Sequence, residues 1–301
     1  MIELKNEKIA IPVVLFAGLL WSFGPLVVRY MDSPDMVPWQ YIFGRGLTIF
    51  IILNLYLYFE EGINFYKNYK KVGRSGFIGG CGLGIAMITF IYSITNTTAA
   101  VTLLCLAAMP FFTAVLAYMF LKEKISLNVW VSIFIATIGI IIMALGNSEK
   151  NSLLGFVFGL TSSIGFSVFS VSLRWRKETP KFTTVSFAGF FCVIVASIFI
   201  ISKELNFLSS SYNGALFSLH GTLVCIGLIL YSIGSKVIPA AELTLLSLTE
   251  VIGGIFWVWV PILGINEIPS TNTIIGGFFL FVSIIYYSLT IKTNRRFIAL
   301  N

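Results

Sequence analysis

Stretches of about twenty apolar residues recur ten times along the chain, five in each half. A bilayer's hydrocarbon core is about 30 Å thick and a helix rises about 1.5 Å per residue, so each stretch is one helical crossing. The pattern predicts spans 1 to 5 near residues 9–29, 36–59, 75–95, 98–121 and 127–146. Spans 6 to 10 follow near 153–173, 183–202, 213–234, 239–263 and 272–291. An odd number of crossings per half makes the halves traverse the membrane in opposite senses, the architecture of many alternating-access carriers. The expected fold is an all-α polytopic membrane protein, ten transmembrane helices as a 5+5 inverted repeat. The first repeat covers 1–148 and the second 149–301.

A short stretch recurs in both halves. Tyr92-Ser93-Ile94 leads to Ala99-Ala100, Thr102-Leu103-Leu104 and Glu123; with small insertions, Tyr231-Ser232-Ile233 leads to Ala240-Ala241, Thr244-Leu245-Leu246 and Glu267. Only 11% of residues are charged, against about a quarter in soluble proteins, and the mean hydropathy is +0.92. The long continuous runs favour helices over a barrel, whose strands would alternate over about ten residues. No connection can hold a soluble domain. The longest, Glu60 to Arg74, is either an interfacial helix with Phe65, Tyr66 and Tyr69 toward lipid and Lys67, Lys70 and Lys71 toward phosphates, or a solvated basic loop. Span 1 is too long for a signal-peptide core and reaches Arg29 without a small-x-small cleavage site, so it is expected to be retained.

With the N-terminus inside, sixteen of the 20 Lys and Arg residues fall on the inner side. Arg29, Lys150 and Lys203 fall outside, and Arg45 lies within a span. The positive-inside rule thus predicts a plasma (inner) membrane protein with both termini cytosolic. The net charge of +7 follows from that topology and implies no nucleic acid. The expected partners are the lipid bilayer and a small-molecule substrate, with a proton or counter-substrate as coupling species, in a monomer or dimer. Cys81, Cys105, Cys192 and Cys225 lie in apolar spans without paired spacing, and the single histidine cannot build a multi-histidine site, so neither a metal nor another cofactor is expected.

Gly76, Gly80 and Gly84, the pair Gly155 and Gly159, and Gly253-Gly254 read as close helix packing, with hinges or substrate approach as the other reading. Pro25 and Pro110 lie inside spans 1 and 4, where proline kinks a helix and can help line a cavity.

A charge in the hydrocarbon costs at least about 2.5–3.5 kcal/mol, so it usually faces a cavity or a partner. Arg45 and Glu250 fall near mid-depth and His220 nearer the outer third. On a helical wheel Glu250 shares a face with Ser247, Gly254 and Trp257, and Arg45 with Tyr41 and Thr48. Ser163, Ser167 and Ser170 form a polar stripe in span 6, and Thr89, Tyr92 and Asn96 another in span 3. Converging, these faces outline a polar cavity walled by Trp21 and Trp257. Candidate substrate-binding residues are therefore Trp21, Tyr92, Asn96, Ser163, Ser167, Glu250 and Trp257. Arg45, His220 and Glu242 are candidates for gating or proton coupling: histidine titrates near pH 6.5 when unperturbed, and Glu242 follows Pro239 where a carboxylate caps a helix. The plainer readings are an Arg45–Glu250 ion pair that locks spans 2 and 9, and a hydrogen-bonded His220 at a helix interface.

The chain resembles the drug/metabolite transporter superfamily with two EamA-type repeats. The resemblance rests on Trp21-Ser22 with Gly24, Phe43-Gly44-Arg45, and Pro110 with Leu121-Lys122-Glu123. It rests also on Glu250 with Trp257-Val258-Trp259 and on Glu267-Ile268-Pro269-Ser270. It implies a 5+5 inverted repeat, cytosolic termini, rocking between inward-open and outward-open states, and a cavity formed mainly by spans 1, 3, 4, 6, 8 and 9. Span 2 is then peripheral, which gives Arg45 a structural role. Pro261, before Glu267, departs from the usual exit of span 9 and leaves the outer gate's geometry open. The superfamily's cargoes vary too widely to name one. A carboxylate among aromatic rings suits a cation or zwitterion, amino-acid-like or a quaternary amine. The alternatives are an intramembrane enzyme, for which no nucleophile–base pair, HExxH or Gly-x-Ser-x-Gly occurs, a channel, which shows no filter-like loop, and a structural membrane protein.

Overall fold

A computed structural model describes residues 7–145, 153–176, 178–265, 268 and 271–298, and every regular element among them is helical. Glu267, which carries part of the repeat match, lies outside the described residues. Eight segments are long and apolar enough to cross a membrane, matching expected spans 1 to 4 and 6 to 9. At the places of spans 5 and 10, α8 (Leu127–Leu145) and α14 (Thr271–Ile298) contain shorter apolar stretches, Leu127–Ile142 and Ile274–Tyr287.

Three crossings are broken. Span 1 consists of α1 (Glu7–Trp21) and α2 (Phe23–Tyr30), and span 4 of α6 (Ala99–Leu106) and α7 (Met109–Leu116). Both breaks follow from proline, which has no N–H for the carbonyl four residues back. Pro25 leaves Trp21 without that bond and α1 ends at Trp21; Pro110 does the same to Leu106, where α6 ends. Span 9 splits into α12 (Ala240–Leu246) and α13 (Thr249–Trp259) without any proline at the break. Hydroxyls carry that interruption: Ser247 Oγ donates to Thr244 O at 2.8 Å, and Thr249 Oγ1 bonds Leu246 O and Leu15 O, each at 3.2 Å. Such local bonds compete with the helical ladder.

The other spans are α3 (Pro38–Glu61), α5 (Gly73–Asn96), α9 (Leu153–Trp175), α10 (Lys181–Ser202) and α11 (Ser211–Gly234). The connection after α3 is neither of the expected alternatives in full. It forms a 3-10 turn, Gly62–Tyr66, and the short α4 (Lys67–Lys71). Tyr69 turns inward rather than toward lipid, bonding Asn54 Oδ1 at 2.8 Å and Ser186 Oγ at 2.7 Å, because both polar groups need a partner in hydrocarbon.

The halves interlock pairwise. α5 packs on α9, α3 on α10, α1 on α11, α8 on α14, and the broken pair α6/α7 on α12/α13. Glycines set the closest approaches. A Cβ on Gly46 would sit 2.9 Å from Gly189 O, and one on Gly189 would sit 2.9 Å from Gly46 O. Gly82 and Gly165 meet in the same reciprocal way, and Gly80 and Gly84 admit the rings of Phe187 and Phe191. Two ties at the bundle ends also match. Asn213, beginning α11, exchanges hydrogen bonds of 3.0 and 3.1 Å with the backbone of Asp32, beyond α2; Ser75, beginning α5, bonds Thr179, beyond α9, at 2.5 Å.

Candidate functional site

The breaks in α1/α2, α6/α7 and α12/α13 surround one cavity with about 530 Å³ of empty space, part of it open to solvent. Trp21, Leu106, Met109 and Glu250, all at or beside a break, contribute to its wall. The rest comes from Arg45 of α3, from Leu83, Ala86, Met87 and Phe90 of α5, from Ser162 and Phe166 of α9, and from His220, Val224 and Leu228 of α11. The wall is mostly apolar, with three ionisable groups set into it.

Arg45 is 2% exposed. Its Nη2 donates to Met87 O at 2.6 Å, its Nε has no partner, and its guanidinium lies 5.8 Å from the ring centres of both Tyr41 and Phe90. Ring faces attract cations, which offsets part of the desolvation. Glu250 is 8% exposed and its carboxylate accepts no hydrogen bond from the described residues. It sits in the first turn of α13, where the helix's free N–H groups favour an anion. His220 bonds Tyr41 through Nδ1, while its Nε2 edge lies against Gly24, 2.9 Å from where a Cβ would stand.

Of the expected substrate residues, Trp21 and Glu250 reach the cavity, and so do the expected gating residues Arg45 and His220. Although span 2 is expected at the periphery, α3 brings Arg45 to the cavity wall, where its bond to Met87 O also ties α3 to α5. No Arg45–Glu250 ion pair forms: both charges face the cavity separately. Six residues lie elsewhere. Asn96 is exposed and bonds Tyr92 O, and the Tyr92 ring packs between Trp39 and Phe158. Ser163 and Ser167 donate to Cys105 O at 2.5 Å and Met109 O at 3.1 Å, so their hydroxyls serve carbonyls at the α6/α7 break. Trp257 stacks on Phe23 and donates to Ser22 Oγ at 2.8 Å. Glu242, in the first turn of α12 as a cap would be, accepts a hydrogen bond from Tyr287.

Ser162 was not among the expected residues, yet it lines the cavity while donating to Ala86 O at 2.9 Å. Its signal is Phe166, one turn further along the same face. Below them Trp21, Phe166, Phe169 and Tyr231 form an aromatic floor, and Tyr231 is fixed by Ser170 at 2.6 Å.

Residues 8–145 match the EamA-like transporter family. A protein from Helicobacter pylori called an uncharacterized transporter is 23% identical over 206 residues, 67% of each chain. Another of that description, from Clostridium kluyveri, is 29% identical over 247 residues, 76% of this chain and 77% of its own. Over its first half the chain is similar to EamA-like transporters, and over two thirds or more of its length to proteins called transporters. This transporter is thus a multi-pass membrane protein with a small-molecule substrate. One crystal structure superposes on the transporter with a TM-score of 0.72, covering 95% of it and 98% of the other chain at 17% identity, a likeness of fold alone.

Proposed function

We propose that the transporter carries a small amphipathic zwitterion, amino-acid-like, by alternating access through this cavity. The observation that carries the reading is the pair of opposite charges, Arg45 from the first half and Glu250 from the second, buried in one wall and unpaired with each other. An unpaired buried charge is costly, and a ligand bearing both signs would neutralise both at once. Arg45 then receives the carboxylate, Glu250 the ammonium, and Met87, Phe90, Phe166 and Leu228 the apolar remainder. His220, bonded to Tyr41, holds the wall between them and is the candidate for proton coupling.

The helix pairing supports an inverted repeat of ten spans. Numbered by span, the contacts include 3 with 6, 2 with 7, 1 with 8, 5 with 10 and 4 with 9. Moving each partner five places along, and counting round from ten to one, returns the same set. The ties Asp32–Asn213 and Thr179–Ser75 exchange under the same operation. Breaks in spans 4 and 9, which correspond in the two halves, fall where inverted-repeat carriers bind cargo.

Thermal-shift screening of purified protein against amino acids, betaines, polyamines, sugars and organic acids tests the reading, followed by flux of each hit into liposomes. Zwitterions with apolar side chains are expected to stabilise the protein, and Glu250→Gln and Arg45→Gln each to abolish the shift. Hits that bind Glu250→Gln as tightly as the parent would overturn the site. Flux indifferent to a pH gradient would remove the coupling role of His220.

A further inference from the structure

Four spans that line the cavity run on to one end of the bundle, and spans 4 and 6 carry the same order of groups. On α9, Ser162 and Phe166 face the cavity, Val171 follows, and Arg174 ends the helix. From span 4 come Met109 at the cavity, then Ala117, then Glu123; from span 9, Glu250 and then Ala240; from span 8, Leu228 and then Ser235. Ala117, Val171 and Ala240 pack into a buried cluster separate from the main core, flanked by Leu116 and Leu121.

Immediately past that cluster lies the one ion pair seen between described residues of the two halves. Arg174 Nε donates to Glu123 Oε1 at 2.5 Å, and Glu123 Oε2 accepts from the Ala240 N–H at 3.2 Å. Arg174 Nη1 donates to Ser235 O at 2.9 Å and to Ile238 O at 2.8 Å. Glu123 is presented by unusual backbone: a π-helical turn, Ala117–Leu121, followed by Lys122 in the left-handed region at φ 57°. Such conformations are costly for a lysine and cluster at functional positions. An isolated surface pair contributes little, but this one joins the ends of spans 4, 6, 8 and 9 directly below the cavity.

We propose that Glu123 and Arg174 are the clasp of the cytosolic gate, and that Ala117, Val171 and Ala240 are the plug it holds shut. The charge asymmetry puts this end in the cytosol, and the assignment rests on the alternating-access reading. The pair bridges first and second halves, so relative rocking of the halves must part it, and the small plug residues separate without large side chains to repack.

The test uses the full-length protein in lipid nanodiscs with Val171→Cys, labelled by a membrane-impermeant maleimide and resolved by site with mass spectrometry. Ala117→Cys, across the plug, repeats it independently. In either background, Glu123→Gln and Arg174→Gln are expected to label about tenfold faster, the factor produced by about 1.4 kcal/mol. Cys192, on α10 and buried against α3 and α5, should remain protected. Unchanged labelling in both charge variants would overturn the clasp, and so would Cys192 becoming labelled in step, since that is general loosening. No substrate enters this measurement. A failure to find flux for any compound would sink the carrier reading while leaving the labelling result standing.

Discussion

His220 shows how few polar atoms stand free in this membrane interior. Tyr41 occupies its Nδ1, so Tyr41→Phe leaves a buried ring nitrogen unpaired; unfolding should become easier by about 1–3 kcal/mol, checked by denaturation in detergent. Arg45→Lys should weaken binding of any hit about tenfold, since an ammonium cannot reach Met87 O and keep the planar face between two rings. That Arg45, His220 and Glu250 would face a cavity was legible from the sequence, because charge in hydrocarbon is conspicuous. That Ser163, Ser167, Trp257, Tyr92 and Asn96 stand elsewhere was not. Their side chains answer to carbonyls and rings on neighbouring helices, and a helical wheel carries no neighbours.

Broken helices create a demand for hydrogen bonds, and α9 meets it. Ser163→Ala should cost about 1–3 kcal/mol of stability by stranding Cys105 O, while Thr161→Ala, whose hydroxyl bonds only its own helix, should cost well under half as much in the same assay. Close crossings are equally specific. Gly46→Ala pushes a methyl onto Gly189 O and should cost about 1–3 kcal/mol, seen as a lower melting temperature. Prolines made two of the three breaks readable in advance. The third could not be read, because Ser247 and Thr249 occur as readily in continuous helices as in interrupted ones.

The chain as a whole is two interlocked halves whose contacts exchange under one operation. The proposed opposite orientation of those halves predicts sidedness: Lys122→Cys should react with impermeant maleimide only from the cytosolic face, and Ser33→Cys only from the other. Reaction of both from one side would refute the topology. Parity of the spans and the lysine and arginine tally give this arrangement as an expectation from sequence. Which helix touches which was not, since pairing depends on glycine contacts such as Gly82 with Gly165 that acquire meaning only in three dimensions.

The absence of proline from the span 9 break has a mechanical consequence. Interruptions at Trp21 and Leu106 follow from the missing N–H of Pro25 and Pro110, a covalent lack that no change of hydrogen-bond partner restores. The one between Leu246 and Thr249 is held by three hydroxyl bonds, each exchangeable for an ordinary helical turn. Two joints are therefore set and one can heal, and the healing joint lies next to Glu250. A frame built from matching halves thus has its compliance concentrated on one side.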